Sequence, residues 1–181
     1  MTSLEFKSTF DEVAKEHKFE KAHGGWFLES PECIVVLDLQ KSNYGDHYEM
    51  NVKIYAQGMF GRTYARCKDL VKQDIGNAFT RQPDEYRDVF DFSMLMDDNR
   101  RKHRLKELFR VFINPLTEKA LSRHGLKELG ARGRVYLPPA VKANCNHVKR
   151  VVRILVCDAT LETPPRVLTY IPSNANADIH L

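Results

Sequence analysis

The sequence predicts an α+β protein, in which an antiparallel sheet packs with an N-terminal helix and with a long central helix that proline interrupts. Two observations support this class. Residues 33–56 read as two apolar runs around a polar turn, which is typical of a β-hairpin. Residues 2–17 and 97–124 instead place their apolar side chains at helical spacing. With 181 residues, of which 43% are hydrophobic, the chain is long enough to bury one sizeable core.

The N-terminal part is predicted to begin with a helix and to continue as a meander of strands. Thr2 and Glu5 have the spacing of a capping box, so the first helix begins there and ends near His17. Strands are expected after a glycine pair, in the run ECIVVLDLQKS, and over residues 48–54, where apolar and polar residues alternate. The last two strands pair through a turn at residues 43–46 and bury one face.

The middle of the chain predicts a mixture of short elements and one long helix. Residues 64–73 indicate a short helix, and the runs IGNAFTR and YRDVFDFSML, separated by a proline, indicate a further pair of strands. Asp97 or Asp98 is expected to cap the long central helix. Pro115 should kink or restart this helix, because proline has no N–H and its ring clashes with the preceding turn. Gly125 is its expected end.

The C-terminal part is predicted to be partly irregular. Residues 131–146, which follow Gly130, contain Gly133 and paired prolines that favour a surface segment without regular structure. The runs HVKRVVRILVC and RVLTYIP then predict a last pair of strands. We expect a single α+β domain over residues 1–181, with residues 131–181 as a C-terminal extension of that domain.

Charge is distributed unevenly along the chain. Residues 1–99 hold 12 basic and 18 acidic residues, a balance of −6, whereas residues 100–181 hold 16 basic and 6 acidic residues, a balance of +10. Such polarity bears on partners, because a basic half can attract nucleic acid or an acidic protein surface. No apolar run approaches the roughly 20 residues that span a bilayer, and the N-terminus lacks the order of a signal peptide. A cytoplasmic protein without a membrane partner is therefore expected.

The first candidate binding surface is the basic run at the start of the central helix. Its first four cations are Arg100, Arg101, Lys102 and Arg104, and Lys106 and Arg110 follow. Together with later basic residues up to Arg153, they could neutralise the phosphates of a nucleic acid. Two alternatives remain open: the run is a solvated face, or it pairs within the fold with the acidic residues of 84–91. Tyr44 and Tyr48 are candidate aromatic contacts for a partner, or they cover the sheet.

The second candidate site is a polar group within the hairpin. Gln40, Ser42 and Asn51 are bracketed by apolar strands and could line a small pocket at the open edge of the meander. The alternative is that the two amide side chains stitch neighbouring backbone, since buried amides often find their partners in the main chain.

Sequence motifs for catalysis or cofactor binding are absent. The chain has no G-x-S-x-G, H-E-x-x-H, G-x-x-x-x-G-K-[ST] or G-x-G-x-x-G motif. Cys145 and His147, with Cys157 or His124, form the only close group of soft ligands, and its spacing is not that of a zinc site. We therefore predict no catalytic residue, no metal and no cofactor, and we expect the cysteines to be reduced, packed thiols.

The hairpin motif resembles that of a known family. The series FKSTFDEVAKEHKFEKAHGGWFLES, followed by VVLDLQKSNYGDHYEMNV, is similar to an uncharacterised, mostly bacterial family, domain of unknown function number four thousand three hundred and four. The matching positions are Gln40, Lys41, Ser42, Tyr48 and Asn51. The run ELFRVFINPLTEKAL resembles a later helix of the family. The resemblance implies a small stand-alone α+β protein and, by analogy alone, an accessory or toxin-immunity role.

The leading hypothesis for function is a non-enzymatic protein that binds another macromolecule. Its specific version is an immunity or antitoxin-like protein that neutralises a bacterial toxin, so the expected partner is a protein, either a toxin or a subunit of a complex. A nucleic-acid-binding protein that uses the basic face of residues 100–153 is the alternative. An enzyme with an unrecognised site is the second alternative.

Overall fold

A five-stranded antiparallel sheet covered on one face by helices forms the centre of the fold. The computed structural model describes the backbone of residues 1–147 and the side chains of residues 1–144, all of which belong to one unit, Met1–Lys149. The predicted α+β class is confirmed. None of the helices described within this range combines the length and the apolar composition that a membrane crossing requires.

The strands follow one another in space as they do in sequence, and each is antiparallel to the next. They are β1 Glu20–Ala22, β2 Gly25–Glu29, β3 Cys33–Lys41, β4 Tyr48–Ala56 and β5 Ala78–Arg81. The helices are α1 Ser3–Glu16, α2 Lys68–Lys72, α3 Arg87–Phe90, α4 Asp98–Leu108, α5 Asn114–Ala120, α6 Arg123–Ala131 and α7 Pro139–His147. A π-helical turn, Phe109–Ile113, joins α4 to α5, and 3-10 turns occupy Met59–Gly61 and Asp84–Tyr86.

The predicted helix caps are confirmed. The Thr2 hydroxyl accepts a hydrogen bond from the Glu5 N–H at 3.3 Å, and the Glu5 carboxylate accepts one from the Thr2 N–H at 2.6 Å, which completes the capping box of α1. Asp97 caps α4 by accepting from the Arg100 N–H at 3.0 Å. The central helix is interrupted as expected, because Pro115 lies in the first turn of α5, directly after the π-helical turn.

The two faces of the sheet differ in what covers them. The inner face packs against α1 and the central helices; Phe10, for example, lies 4.5 Å from Trp26 between ring centroids and 5.4 Å from Phe109. The outer face was expected to be open. Half of it is instead buried, because Leu70 and Val71 of α2 form a second, smaller core on it. The other half of the outer face remains polar.

The prediction of a strand in YRDVFDFSML is wrong. Residues 84–90 form a 3-10 turn followed by α3. Tyr86, Val89 and Phe90 are buried there. Their spacing of three and four residues is helical, and this periodicity decided the structure over the aromatic content that suggested a strand.

The central helix does not end at Gly125. The chain turns at residues 121–122, and Gly125 lies inside the next helix, α6. A Cβ atom at this position would lie 2.2 Å from the Lys119 carbonyl oxygen. Gly125 is therefore required for the close approach of α5 and α6, and its role is packing rather than helix termination.

The prediction of an irregular segment over residues 131–146 is also wrong in part. Its second half is α7, which begins at Pro139, a residue that favours the first helical turn. The predicted final strand pair and most of the predicted C-terminal extension lie outside the described residues.

Candidate binding surfaces

The fold separates the four cations of the predicted basic face. Arg100 is exposed, whereas Arg101 is only 3% exposed and points into the interior. The terminal nitrogens of Arg101 donate hydrogen bonds to four main-chain oxygens at 2.7–3.2 Å. The oxygens belong to Asp88, Val89, Asp91 and Met94. Burial lowers the pKa of the Arg101 guanidinium. This side chain thus holds a loop and is not on the surface.

The neighbouring cations are paired within the fold. Lys102 lies 2.9 Å from a Glu12 carboxylate oxygen, and Arg104 lies 3.1 Å from Asp88. The hydrogen bond to Glu12 raises the pKa of Lys102. Lys106 makes a further pair with α1. Glu12 and Glu16 belong to α1 and Asp88 belongs to residues 84–91, so both segments pair with cations of this region. Of the later basic residues, Lys149, Arg150 and Arg153 lie outside the described residues.

The two hairpin tyrosines are in different environments. Tyr44, at the turn, is 98% exposed. Tyr48 is buried on the inner face, where its hydroxyl lies 2.5 Å from the Ser3 hydroxyl. Tyr48 therefore covers the sheet, as the alternative interpretation held, and only Tyr44 is available to a partner.

An exposed apolar loop lies beside the hairpin turn, and the sequence patterns did not single it out. We call residues 91–98, DFSMLMDD, the apolar loop. Leu95 is fully exposed and Met94 is half-exposed. The Phe92 N–H donates to the Asp46 carbonyl oxygen at 2.9 Å, which fixes the loop against the hairpin turn. The loop that carries Met94 and Leu95 thus lies beside the hairpin turn that carries Tyr44.

A polar groove of about 450 Å³ lies on the outer face of the sheet, beside α2. Gln40 and Asn51 meet in it, as predicted. The Asn51 amide nitrogen donates to Gln40 Oε1 at 3.3 Å, and Asn51 Oδ1 accepts from Arg81 Nε at 3.2 Å. The two amides therefore bond to side chains of the groove and do not stitch the backbone. Ser42 and Lys41 lie at the turn instead, where Ser42 Oγ accepts from the Tyr44 N–H at 3.1 Å.

Five charged residues complete the groove, and sequence reasoning missed them. They are Asp38, Lys53, Lys72, Asp74 and Arg81. Asp38 and Lys53 stand at the same alternating positions of β3 and β4 as Gln40 and Asn51, so period-two alternation could have placed all four on one face. Lys72 and Arg81 reach the groove only through the position of α2 and the register of β5.

A second cavity, of about 330 Å³, brings His17 together with Glu16 and Glu118. His17 Nδ1 lies 2.9 Å from the amide nitrogen of Asn114. The Thr117 hydroxyl in the same cavity already donates to the helix backbone at 2.9 Å, so it is not poised as a nucleophile. This cavity brings a histidine near carboxylates, which is an arrangement that the alternative hypothesis of an enzyme would require.

Metal ligands are not gathered in the described part of the chain. Among these residues, no three His, Cys, Asp or Glu side chains are arranged to hold a metal ion. Cys145, His147 and Cys157 belong to the group of soft ligands noted in the sequence, and their side chains are not among those that the structure describes. Cys33 is packed in the main core, and Cys67 lies beside the second core.

Comparison with family models matches residues 10–119 to a family described as "Domain of unknown function (DUF4304)". The matched range contains the groove and the apolar loop. It is the family that the hairpin motif resembles. No curated protein and no solved structure matches the chain.

Proposed function

This chain belongs to the DUF4304 family, which is described only as a domain of unknown function, and we propose from its surface that it is a non-enzymatic protein that binds another protein. The binding surface is the apolar loop together with Tyr44. The proposal rests on one observation: the apolar tip of this loop is exposed, and hydrogen bonds from the buried Arg101 side chain hold the loop in place. Exposure of the Met94 and Leu95 side chains to water is unfavourable. Neighbouring large apolar side chains on a surface are typical of interaction sites.

The rigidity of the loop supports a role in binding. Arg101 donates to the carbonyl oxygens of Asp91 and Met94 at 3.0 and 3.2 Å, and its cation lies 5.2 Å from the centroid of the Phe92 ring. A loop ordered before it meets a partner loses little conformational entropy on binding.

Charge around the loop favours a basic partner. Asp91 lies at one end of the loop; at the other end Asp97 caps α4 and Asp98 pairs with the Met1 amino group at 2.8 Å. The hydrogen bonds from Ser93 keep the pKa of Asp91 below its ordinary range, so its carboxylate is ionised at neutral pH. An apolar contact flanked by carboxylates complements an apolar patch flanked by lysine or arginine. In its specific version, the proposal is that the partner is a basic toxin and that the chain neutralises this toxin by covering part of its surface.

Purification of the tagged full chain from its native host, in three versions, tests the proposal. The wild type is compared with Leu95→Glu and with the control Val111→Glu. The control changes another exposed apolar residue, which lies in the π-helical turn and not in the apolar loop. We expect one dominant basic polypeptide with the wild type and the control. Its Kd for Leu95→Glu, measured with purified partner, should rise at least about tenfold, as for a central interface residue.

Equal affinity of the wild type and Leu95→Glu would contradict the proposed surface. The toxin version has its own arm: the recovered polypeptide should arrest growth when expressed alone, and the wild-type chain, but not Leu95→Glu, should restore growth. A partner that is harmless when expressed alone contradicts the toxin version and leaves protein binding in place.

A further inference from the structure

The polar groove lies where α2 stops covering the outer face of the sheet. The strand register pairs Asp38 with Asn51 and Asn51 with Arg81, so these three side chains stand side by side across β3, β4 and β5. Apolar residues fill the neighbouring positions of this face under α2. The row of polar side chains is therefore not covered by α2. The cavity beside it, of about 450 Å³, is large enough for a small molecule.

Positive charge outweighs negative charge in the groove. Asp38, 5% exposed, accepts a hydrogen bond from Lys72 at 3.1 Å and lies 3.6 Å from the ammonium nitrogen of Lys53, which is 7% exposed. One buried carboxylate therefore serves two ammonium groups. With Arg81 and Asp74, three cations line the groove against two carboxylates. Lys53 is buried and paired, whereas Arg81 is exposed and the Lys72 side chain is 46% exposed, so the surplus positive charge faces the opening of the groove, where it attracts anions.

Several of the unused hydrogen-bonding groups of the groove are donors. Arg81 Nε donates to Asn51, and Asn51 donates to Gln40. This order leaves the amide nitrogen of Gln40 and both terminal nitrogens of Arg81 without a hydrogen-bond partner among residues 1–144. A guanidinium presents two parallel N–H groups that fit the oxygens of a carboxylate or a phosphate.

One wall of the groove is apolar and firmly held. Ile75 is 59% exposed, and the Phe79 ring lies 5.3 Å from the Tyr136 ring between centroids. The loop that carries Ile75 lies tight against β4. Gly76 has a φ of +82°, and a Cβ atom there would lie 2.9 Å from the Ile54 carbonyl oxygen.

We infer that this groove binds a small organic anion. The carboxylate or phosphate group of the ligand meets Arg81 and Lys72, and its apolar part lies against Ile75 and Phe79. No histidine, cysteine, serine or threonine is among the lining residues in the described part of the chain, and the inference concerns binding of the ligand alone. The site shares no residue with the apolar loop and does not depend on the function proposed for that loop.

Titration of the ¹⁵N-labelled full chain with four small probes tests this inference. Phenyl phosphate and benzoate represent the two anionic groups on an apolar body, benzyl alcohol lacks the charge, and inorganic phosphate lacks the body. We expect saturable amide shifts at Gln40, Asn51 and Arg81 with at least one aromatic anion. Which of the two binds more tightly assigns the anionic group. Benzyl alcohol and inorganic phosphate should each bind at least about tenfold more weakly.

Variants separate the groove from general charge effects. Arg81→Gln and Lys72→Gln should each weaken binding of the preferred anion at least about fivefold, and Ile75→Glu, at an exposed position, should do the same through repulsion. Lys15→Gln removes an exposed cation of α1, on the opposite face of the sheet, and should leave the Kd unchanged. Absence of saturable shifts with both anions, or equal Kd values for Arg81→Gln and the wild type, would overturn the inference. Equal affinity for phenyl phosphate and inorganic phosphate would overturn the role of the apolar wall.

Discussion

Arg101 Nη1 donates a hydrogen bond to the main-chain oxygen of Val89 at 2.7 Å from inside the protein. The adjacent Arg100 is exposed on the same helical turn. Two neighbouring arginines of one basic run therefore have different roles: one organises the backbone between α3 and α4, and the other faces solvent.

Replacement of Arg101 by Met should lower the free energy of unfolding by roughly 2–4 kcal/mol, because several buried carbonyl oxygens lose a charged donor. Urea denaturation of the variant and of the wild type measures this difference. Arg100→Met is the matched control and should change stability by less than about 0.5 kcal/mol. Equal effects of the two substitutions would contradict the clamp.

The spacing of residues along α4 predicts that Arg101 is buried and that Arg100 is exposed. Arg101, Leu105 and Leu108 stand at spacings of four and three residues and share one face of α4, and all three are buried. The charge of the run alone places Arg101 with its exposed neighbours, whereas the helical phase places it with the two leucines. The apolar loop escaped prediction for another reason: its exposure depends on a clamp from a helix that comes later in the chain.

The hairpin was predictable because its signals are local. Alternation in β4, a β-branched run in β3 and a polar turn between them define the pairing, and with it the meeting of Gln40 and Asn51. The charged part of the groove was not predictable in the same way. Lys72 reaches Asp38 only because α2 packs on the outer face, which is a long-range packing event without a sequence motif.

The buried pair of Asp38 and Lys53 gives a second prediction. Asp38→Asn leaves Lys53 buried without a carboxylate and should cost roughly 3–5 kcal/mol of unfolding free energy. Adding Lys53→Met to this variant should recover part of the loss, and a double-mutant cycle in urea measures the coupling. Lys72→Gln, at a half-exposed position, should cost less than about 1 kcal/mol. A double variant no more stable than Asp38→Asn would argue against the pair.

Gly125 gives a third prediction, on the packing of α5 against α6. Gly125→Ala introduces a Cβ atom that would lie 2.2 Å from the backbone oxygen of Lys119, so the two helices must move apart. The expected cost is roughly 1–3 kcal/mol, measured by chemical denaturation, although alanine is the better helix former. His124→Ala, at the exposed neighbouring position, should be close to neutral. A stabilised Gly125→Ala variant would mean that the helices are less tightly packed than observed.

The carboxylate of Asp91 gives a prediction about pH. Hydrogen bonds from the Ser93 hydroxyl and N–H, at 2.6 and 2.9 Å, lower the pKa of Asp91 from its ordinary value of 3.8. Since the folded pKa is the lower one, this group stabilises the fold above the ordinary value, and the stabilisation is lost as the pH falls through the folded pKa. Ser93→Ala should raise the pKa of Asp91, as measured by carboxyl ¹³C NMR. An unchanged titration would show that the hydroxyl is not the cause.

The last prediction concerns the basic run and the nucleic-acid alternative. Lys102 and Lys106 pair with Glu12 and Glu16 of α1 at 2.9 Å each, so we expect them to neutralise carboxylates of this chain and not phosphates. The salt dependence of DNA binding counts phosphate contacts, and each contact contributes about 0.9 to the slope of log K against log salt. If the full chain binds generic duplex DNA at low salt, the slope for Lys102→Gln/Lys106→Gln should equal that of the wild type. A slope shallower by about 1.8 would assign both lysines to phosphates and favour the nucleic-acid-binding function. Because exposed ion pairs contribute little to stability, the double variant should remain folded, and the comparison reports on binding alone.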